Sequence, residues 1–344
     1  MRYLIFGGPG IGDTIFEIMF AKMLKSSSSD VHVDLLTATD NDSNKLLDSL
    51  LSCQGYIDRH YSWYRKNYFR IIQTLIQLIK NRYDYGFSCS SSFKANNTAG
   101  KVCKIIGCKS IVKFVEGKTG KVDFPVTISE NIHFVEQYKK LAEVIYQNVA
   151  IDVNVLDIHK IPSNSKYKKE KQRITIVIGT NPTIYQLEKE KIKINIKEWD
   201  VRNWILVGNF LFDEGYEVYV VGGSKDKESI LGIKDYKFKC GIKVLCGKTT
   251  IQESLCIIKD SDLVVGADTG MLHCAAALNV KTLSLFGGTD YKVWRPYSSK
   301  NYVLLGKSNC SPCYGKNVAL KCENRECMSL IKYEDVIDVI KKVI

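Results

Sequence analysis

Short apolar runs alternate with longer amphipathic stretches along the first half of the chain. The runs at residues 3–6 and 31–36 have the length of buried strands. Apolar residues at 15–24 and around 71–79 recur with helical spacing. Strands that alternate with helices predict a parallel sheet covered by helices on both faces.

The alternation stops near residue 163 and then begins again. Residues 162–171 read Pro-Ser-Asn-Ser followed by a lysine-rich run without apolar periodicity, which is typical of a linker. Strand-like runs follow at 174–178, 216–221, 263–265 and 282–286, with helical spacing at 204–212 and 333–343. We therefore predict an N-terminal domain at 1–165, a second domain at 166–332 and a final helix at 333–344.

Two such halves predict an α/β protein with two doubly wound, Rossmann-like domains facing a cleft. Ligands of these folds bind at the carboxyl ends of the strands. The loops that follow the strands are therefore where candidate chemistry is expected.

The first strand leads into the first helix through a glycine-rich loop, Gly7-Gly8-Pro9-Gly10-Ile11-Gly12-Asp13-Thr14. Glycines let the backbone turn tightly and approach a ligand closely. The spacing differs from a phosphate-cradling G-x-x-x-x-G-K-T loop because Asp13 stands where the lysine belongs. A carboxylate there repels phosphate, which argues against an NTPase. A dinucleotide-binding fingerprint also fails, because it requires glycine at position 13.

Asp13 is the candidate general base. Amide groups and the dipole at a helix start favour an ionised carboxylate, and the predicted fold directs this loop toward the cleft. The alternative is that Asp13 only caps its helix.

A second cluster follows the strand at 263–265 and reads Asp268-Thr269-Gly270-Met271-Leu272-His273. Its start is a plausible helix opening, whose free amides can bind a diphosphate. His273 could donate to a phosphate oxygen, and a purely structural histidine is the alternative. The glycine-rich turn at 286–290 and the nearby Trp294-Arg295-Pro296 offer a second wall for a nucleotide.

Composition narrows the class of protein. The 344 residues fit two domains, and 45% hydrophobic with 25% charged residues is typical of a globular protein. The first apolar run holds only four residues, too few for a signal peptide or a membrane span, so a cytoplasmic location is expected. The net charge of +12 suits anionic lipid or a phosphorylated glycan. Nucleic acid is not an expected partner, because no binding motif accompanies the charge.

Together the motifs resemble the ADP-heptose:lipopolysaccharide heptosyltransferases, glycosyltransferase family 9 of bacteria. The matching residues run through most of the chain: Gly10-x-Gly12-Asp13, Lys197-x-Trp199 with Trp204, Gly222-Gly223, Gly247-Lys248-Thr249, Asp268-Thr269-Gly270-x-x-His273-x-Ala275-x-Ala277, Phe286-Gly287-Gly288-Thr289-Asp290 and Trp294-x-Pro296.

The resemblance implies a B-type glycosyltransferase fold whose N-terminal domain binds the acceptor and whose C-terminal domain binds ADP-heptose. It also implies that the last helix crosses back to the first domain. By the same resemblance, heptose is transferred with inversion and without a required cofactor. Asp13 is then the base and Gly10 and Gly12 belong to the acceptor-side loop. The implied donor site consists of Lys197, Asp268, Thr269, Gly270, Met271 and His273.

The acceptor implied by the resemblance is a lipopolysaccharide core or a related lipid-linked glycan. Peripheral contact with an anionic membrane at the inner face is then expected. The alternatives are a protein acceptor of the autotransporter type, a different nucleotide sugar, or a sugar-nucleotide binder without catalysis.

Three departures from the family pattern stand out. Met19 and Asp200 each occupy a place where proline is common, and Gly287-Gly288 replaces the frequent Gly-Pro. The lysine-rich stretch at 187–196 looks like an insert, which makes Lys191 and Lys193 rivals of Lys197.

The cysteines divide into two groups. Five single cysteines in apolar segments are expected to be reduced core residues: Cys53, Cys103, Cys246, Cys256 and Cys274. Four late cysteines have ligand-like spacing: Cys310, Cys313, Cys322 and Cys327. Four thiolates can bind zinc or iron, and a subgroup of the resembling family holds iron in this way. A structural metal ion and reduced thiols remain the two alternatives.

Overall fold

The computed structural model describes residues 1–28, 30–38, 41–64, 67–90, 93–115, 123–181, 183–187 and 190–344. Of these, residues 41–43, 93–94, 183–187 and 190–193 are described by their backbone alone. The described residues divide into two compact units, Met1–Lys160 and Ile161–Ile344. The division falls a few residues before the boundary expected from the sequence.

The elements of the first unit alternate between strand and helix through most of its length. They are β1 (Arg2–Gly7), α1 (Ile11–Ser26), β2 (His32–Thr37), α2 (Asn41–Leu51), β3 (Arg59–Ser62), α3 (Tyr68–Asn81), β4 (Tyr85–Ser88), α4 (Phe93–Ile106), β5 (Ser110–Val115), β6 (Phe124–Thr127) and α5 (Phe134–Glu143).

The second unit repeats the alternation and adds a hairpin. Its elements are β7 (Arg173–Val177), β8 (Thr183–Leu187), β9 (Glu190–Ile194), α6 (Val201–Asp213), β10 (Glu217–Val221), α7 (Ser224–Leu231), β11 (Lys243–Val244), α8 (Ile251–Lys259), β12 (Leu263–Ala267), α9 (Gly270–Ala277), β13 (Thr282–Phe286), α10 (Tyr291–Trp294), β14 (Asn301–Leu305), α11 (Glu326–Ser329) and α12 (Tyr333–Val343).

Each unit contains a parallel sheet in which six strands are described. The strand order is β3-β2-β1-β4-β5-β6 in the first unit and β11-β10-β7-β12-β13-β14 in the second. Both orders follow the doubly wound pattern, in which the strand order reverses next to the first strand. The prediction of two doubly wound α/β domains is confirmed.

The central strands are apolar and fully covered, as parallel strands between two helical layers must be. Every residue of β12 and of β13 is buried. The core of the second unit also contains Trp199 and Trp204, whose rings meet edge to face with centroids 4.5 Å apart.

Helix α12 belongs to the second unit, where it packs on α6. It buries Val336, Ile337 and Ile340 in the core of that unit, as its helical spacing predicts. The crossing of this helix to the first domain stays a prediction. Across the described ranges, no helix combines the length and apolar character that crossing a bilayer requires.

Candidate active site

The loop after β1 places Asp13 at the start of α1. Gly10 is the residue that caps this helix, with its carbonyl accepting from the Thr14 amide at 2.9 Å. Asp13 therefore lies in the first helical turn and is not the cap residue itself. The positive end of the helix dipole favours a negative charge at this position. In the sheet order, β1 stands beside β4 at the point of reversal, where doubly wound folds bind their ligands.

The glycines of this loop make room for the Asp13 carboxylate. A Cβ atom at Gly8 would lie 2.9 Å from Asp13 Oδ2, and one at Gly10 would lie 2.6 Å from it. Any larger residue at Gly10 would displace the carboxylate or the loop. The backbone here wraps closely around the side chain of Asp13.

A second carboxyl group, Glu17, is buried under the same loop. Its side chain lies one turn after Asp13 and is 1% exposed. Oε1 accepts a hydrogen bond of 2.6 Å from the Gly8 amide, whereas Oε2 is buried without a hydrogen-bond partner among the described residues. A side chain at Gly7 would collide with this carboxyl group.

Burial favours the neutral form of Glu17. Loss of solvation raises the pKa of Glu17 well above its ordinary value, and the negative charge of Asp13 raises the pKa further. The hydrogen bond from Gly8 opposes the shift. Burial also raises the pKa values of Cys89 and Tyr138. The Tyr138 hydroxyl donates to the Cys89 carbonyl oxygen at 2.9 Å, which links α5 to the segment that follows β4.

In the second unit, four neighbouring strands end in loops at one edge of the sheet. Gly179 follows β7, Gly222 and Gly223 follow β10, Asp268 follows β12, and the turn at 287–289 follows β13. Because parallel strands share an orientation, these loops meet at the edge where ligands bind.

Helix α9 begins at this edge, directly beside the point of strand reversal. Thr269 is its cap residue and has extended backbone angles, while Gly270 and Met271 form the first turn and are half-buried. The first amide groups of a helix have no acceptor within the helix. They are suited to bind an anion.

Lys197 and Asp268 form an ion pair beside the start of α9. Lys197 Nζ lies 2.8 Å from Asp268 Oδ2, and the Asp268 side chain is only 7% exposed. The Lys197 ammonium also lies 5.5 Å from the centroid of the Tyr314 ring. Tyr314 in turn contacts Trp294 edge to face. The ion pair fixes Lys197 at a position where it can meet an anion at the helix start.

His273 is buried within the first turn and a half of α9. Loss of solvation lowers its pKa to about 4, against a smaller opposite effect of the Asp268 charge. The imidazole is therefore neutral at physiological pH.

Residues 72–323 match the sequence model of the family described as Glycosyltransferase family 9 (heptosyltransferase). This segment includes Lys197, Asp268 and His273, and it covers well over half of the chain.

The chain belongs to glycosyltransferase family 9.

Individual relatives agree with this assignment. Lipooligosaccharide heptosyltransferase 2 of Campylobacter jejuni is 29% identical over 176 residues, 47% of this chain and 54% of that protein. The chain thus spans about half the length of that curated relative. The structure of E. coli ADP-heptose lps heptosyltransferase II matches with a TM-score of 0.71 and 17% identity, covering 100% of this chain and 98% of that one.

A further solved structure is the iron-containing dodecameric glycosyltransferase TibC from enterotoxigenic E. coli. It matches with a TM-score of 0.58 and 14% identity over 99% of this chain and 75% of that one. At these identities the likeness shows the fold alone, and it confirms the B-type glycosyltransferase fold.

The departures of this family 9 chain have local explanations. Asp200, where proline is common, caps α6 and accepts a hydrogen bond from the Arg202 amide. Met19 is 1% exposed within α1 and fills core space. The stretch that looks like an insert contains β9, which pairs with β8 in an antiparallel hairpin, and Lys197 follows it. The side chains of Lys191 and Lys193 lie outside the described residues.

The five single cysteines are buried, as predicted. Their exposure is 3% or less in every case: Cys53, Cys103, Cys246, Cys256 and Cys274. All twelve cysteines lie within the described residues and are free thiols.

A structural metal ion at the four late cysteines stays a prediction. Within the described ranges, which include all four, no group of three or more His, Cys, Asp or Glu side chains is placed to hold a metal ion. A tetrahedral site needs four thiolates around one point. Instead Cys310 is exposed and contacts the Ser308 hydroxyl, whereas Cys327 is buried against Gly287. Burial, followed by the neighbouring Cys310, Cys327 and Cys322, raises the pKa of the Cys313 thiol to about 11, so the four thiols lie near one another without forming a metal-binding group.

The cysteine segment nevertheless contributes to the second part of the site. The amides of Cys313 and Tyr314 donate to the Gly288 carbonyl at 2.9 and 2.8 Å. These bonds bring the Tyr314 ring beside Lys197. Tyr314 was not predicted from the sequence, because no local pattern links it to a residue more than a hundred positions earlier.

Glu17 was also missed, although the sequence carried a signal. A glutamate stands alone inside the apolar run Ile15-Phe16-Glu17-Ile18-Met19-Phe20, four positions after Asp13. Residues four apart lie on the same face of a helix. An acid on the buried face, one turn below the candidate base, was therefore deducible.

Proposed function

We propose that this chain is an inverting heptosyltransferase that transfers heptose from ADP-heptose to a lipopolysaccharide-core or related glycan acceptor. The observation that carries the proposal is the Asp13 carboxylate at the start of α1, closely enclosed by Gly8 and Gly10. Membership of glycosyltransferase family 9 supports the reaction class. In this proposal the first unit binds the acceptor and the second binds the donor.

Asp13 acts as the general base. It takes the proton of an acceptor hydroxyl while that oxygen forms a bond to the anomeric carbon of the donor. The bond from the anomeric carbon to the phosphate oxygen breaks, and ADP leaves with the electron pair. Attack opposite the leaving group inverts the anomeric centre, and the scheme uses no cofactor.

The departing ADP gains negative charge, which groups of the second unit stabilise. In this proposal the amides at the start of α9, from Gly270 and Met271, bind the diphosphate, and the Lys197 ammonium, held by Asp268, lies beside them. Asp268 acts as a positioning residue that holds Lys197 through the ion pair. Neutral His273 donates one N–H to a phosphate oxygen, and Thr269 is the residue that caps the start of α9.

A lipid-linked acceptor would bring this enzyme to the inner face of the cytoplasmic membrane. The net charge of +12 supports peripheral contact with anionic lipid. A protein acceptor remains the alternative outcome of an acceptor assay.

The decisive experiment compares the wild type with Asp13→Asn, using ADP-heptose, a lipid-free core glycan and a measurement of ADP release. Loss of a positioned base lowers turnover by roughly 100-fold or more. The donor-induced rise in melting temperature should persist, because Asp13 lies in the acceptor-side unit. The matched control is Asp338→Asn, an exposed aspartate on α12. Near-normal turnover of Asp13→Asn would remove Asp13 from the mechanism.

A further inference from the structure

Helix α3 carries apolar side chains on two sides, only one of which is covered. Its inner side buries Thr74 and Leu78 against the first unit. A second strip points to solvent, with exposed fractions of 80% for Tyr68, 70% for Phe69 and 55% for Ile72. Ile76 and Ile79 continue the strip with 47% and 46% exposure.

Helical geometry places these five side chains together. At 3.6 residues per turn, positions 68, 72, 76 and 79 lie along one side of the helix, with 69 at its edge. The strip is about 100° wide on this geometry. Isolated exposed apolar residues need no explanation, but a contiguous row of this kind marks an interaction surface.

The charged residues of α3 and of the adjacent α4 are all basic. The sequences of α3 and of the adjacent α4 contain no aspartate or glutamate, whereas α3 carries Arg70 and Lys80. On α4, Lys101 and Lys104 are exposed, as is Ile105 with 61%. An apolar strip with basic borders matches the composition of helices that lie in a membrane interface.

A shallow depression adjoins the polar border of the strip. It encloses about 500 Å³ between β3 and α3, and its lining includes Arg59, Gln77 and Lys80. His60, also in the lining, is hydrogen-bonded to Asp48, with Nδ1 and Oδ1 2.7 Å apart. Arg59 and Lys80 supply two positive charges that suit a phosphate head group, and the negative charge of Asp34 acts on Arg59.

We propose that α3 docks this protein on an anionic membrane, with Tyr68, Phe69 and Ile72 buried among the lipid head groups and upper acyl chains. The inference deepens the proposed function and rests on it, because a lipid-linked acceptor gives the enzyme a reason to dock. A second copy of the chain is a poorer occupant, since it would bring the basic borders of two identical helices together. An anionic bilayer matches both the apolar strip and its charge.

Docking of this kind has two separable components. The basic residues attract lipid over a distance that salt shortens to about 8 Å at physiological ionic strength. Burial of the strip does not depend on salt in this way. Binding should therefore weaken with salt but persist in part, unlike attachment through lysines alone, which the sequence had indicated.

The test is co-sedimentation of the full chain with vesicles of phosphatidylglycerol and phosphatidylcholine, at low and high salt. Replacing Phe69→Ser together with Ile72→Ser should lower the partition coefficient by about tenfold or more, because two exposed apolar side chains no longer enter the lipid. The matched control is Leu231→Ser, a 71% exposed leucine on α7, which should bind like the wild type. Lys80→Gln should cost about fivefold and the control Lys342→Gln little.

Three results would overturn the proposal. They are absence of wild-type binding to these vesicles, equal binding of the Phe69 and Ile72 variant, and concentration-dependent self-association that this variant abolishes. The last result would assign the strip to a second copy of the chain. Transfer of heptose to a lipid-free acceptor, measured on the same variant, separates the two proposals. A double variant that still transfers heptose but no longer binds vesicles supports docking. A wild-type protein that transfers no heptose to the lipid-free acceptor would refute the proposed function alone.

Discussion

At the scale of single residues, the pair Asp13 and Glu17 shows how one helix face can hold two carboxyl groups in different states. Asp13 lies at the helix start, where amide groups and the dipole stabilise its negative charge. Glu17 lies one turn deeper, buried and beside that charge, which favours its protonated form. A neutral Glu17 can accept from Gly8 without adding a second negative charge under the loop.

The raised pKa of Glu17 predicts a specific pH dependence of stability. Above about pH 4.3, the ordinary pKa of glutamate, the unfolded chain loses this proton while the folded protein keeps it. The free energy of unfolding of the wild type therefore falls as pH rises, by up to about 1.4 kcal/mol per unit, until the folded pKa is reached. Glu17→Gln has no proton to lose, so the stability of the variant relative to wild type should increase from pH 5 to pH 8.

Chemical denaturation of both proteins at several pH values measures this difference. Glutamine keeps the acceptor for the Gly8 amide, so the comparison isolates ionisation from shape. Glu228→Gln, an exposed change on α7, should show a difference that does not vary with pH. Parallel curves for Glu17→Gln and wild type would mean that Glu17 is ionised in the folded protein.

The motifs of the candidate site could be predicted from local spacing, whereas its long-range contacts could not. The glycines around Asp13 and the Asp-Thr-Gly start of α9 are contiguous motifs, so they could be recognised in the chain. The contact of Tyr314 with Lys197 depends on hydrogen bonds from a distant loop to Gly288, which no local pattern encodes. Cysteine spacing alone likewise could not decide between a metal site and reduced thiols, because spacing does not fix where four sulfur atoms point.

At the scale of elements, buried parallel strands were the easiest to predict. The run at 282–286, with its apolar Leu283, Leu285 and Phe286, coincides with β13, because a strand covered on both faces is mostly apolar. The hairpin β8–β9 was read as an insert of unspecified structure, since its lysines mask strand alternation. For α3, amphipathic spacing predicted the helix. It could not predict that a second apolar side is left exposed, because that depends on which elements pack against α3 in the fold.

The ion pair between the β9–α6 connection and the start of α9 gives a second prediction. Lys197→Met leaves the buried Asp268 without its cation and should lower stability by a few kcal/mol, on the order found for broken buried pairs. Adding Asp268→Asn removes the stranded charge and should restore much of that stability. Donor affinity should stay low in both variants, because the positive charge at the helix start is gone.

Thermal unfolding with and without ADP measures both quantities on the same samples. Lys193→Met is the comparison variant, because Lys193 in β9 is the alternative candidate for the donor lysine. Weakened ADP binding in Lys193→Met, with normal binding in Lys197→Met, would show that the donor lysine was placed on the wrong side of the hairpin. Failure of Asp268→Asn to restore stability would mean that the pair does not hold this region together.

At the scale of the whole molecule, the chain repeats one strand order in two units. The repeat followed from the restart of the strand and helix alternation after residue 163, so the fold could be predicted without any tertiary contact. The exact division could not, because the lysine-rich connection gives no apolar signal. Tyr167, within that connection, is 2% exposed and its carbonyl accepts from Arg173, which ties the segment to the second unit.

Selectivity among nucleotide sugars is a property of the whole protein and provides the last prediction. A ligand that binds only the native state stabilises it by about 2.7 kcal/mol at a concentration one hundred times its Kd. ADP-heptose should therefore raise the melting temperature more than ADP-glucose, and both should exceed UDP-glucose and GDP-mannose. AMP should shift it less than ADP, because in the proposed donor site the second phosphate is the group that meets Lys197 and the amides of α9. The Lys197→Met protein should lose most of the difference between ADP and AMP, whereas Asp13→Asn should keep it. A larger shift with a uridine or guanosine sugar would assign a different donor to this fold, while the acceptor-side chemistry of Asp13 could still stand.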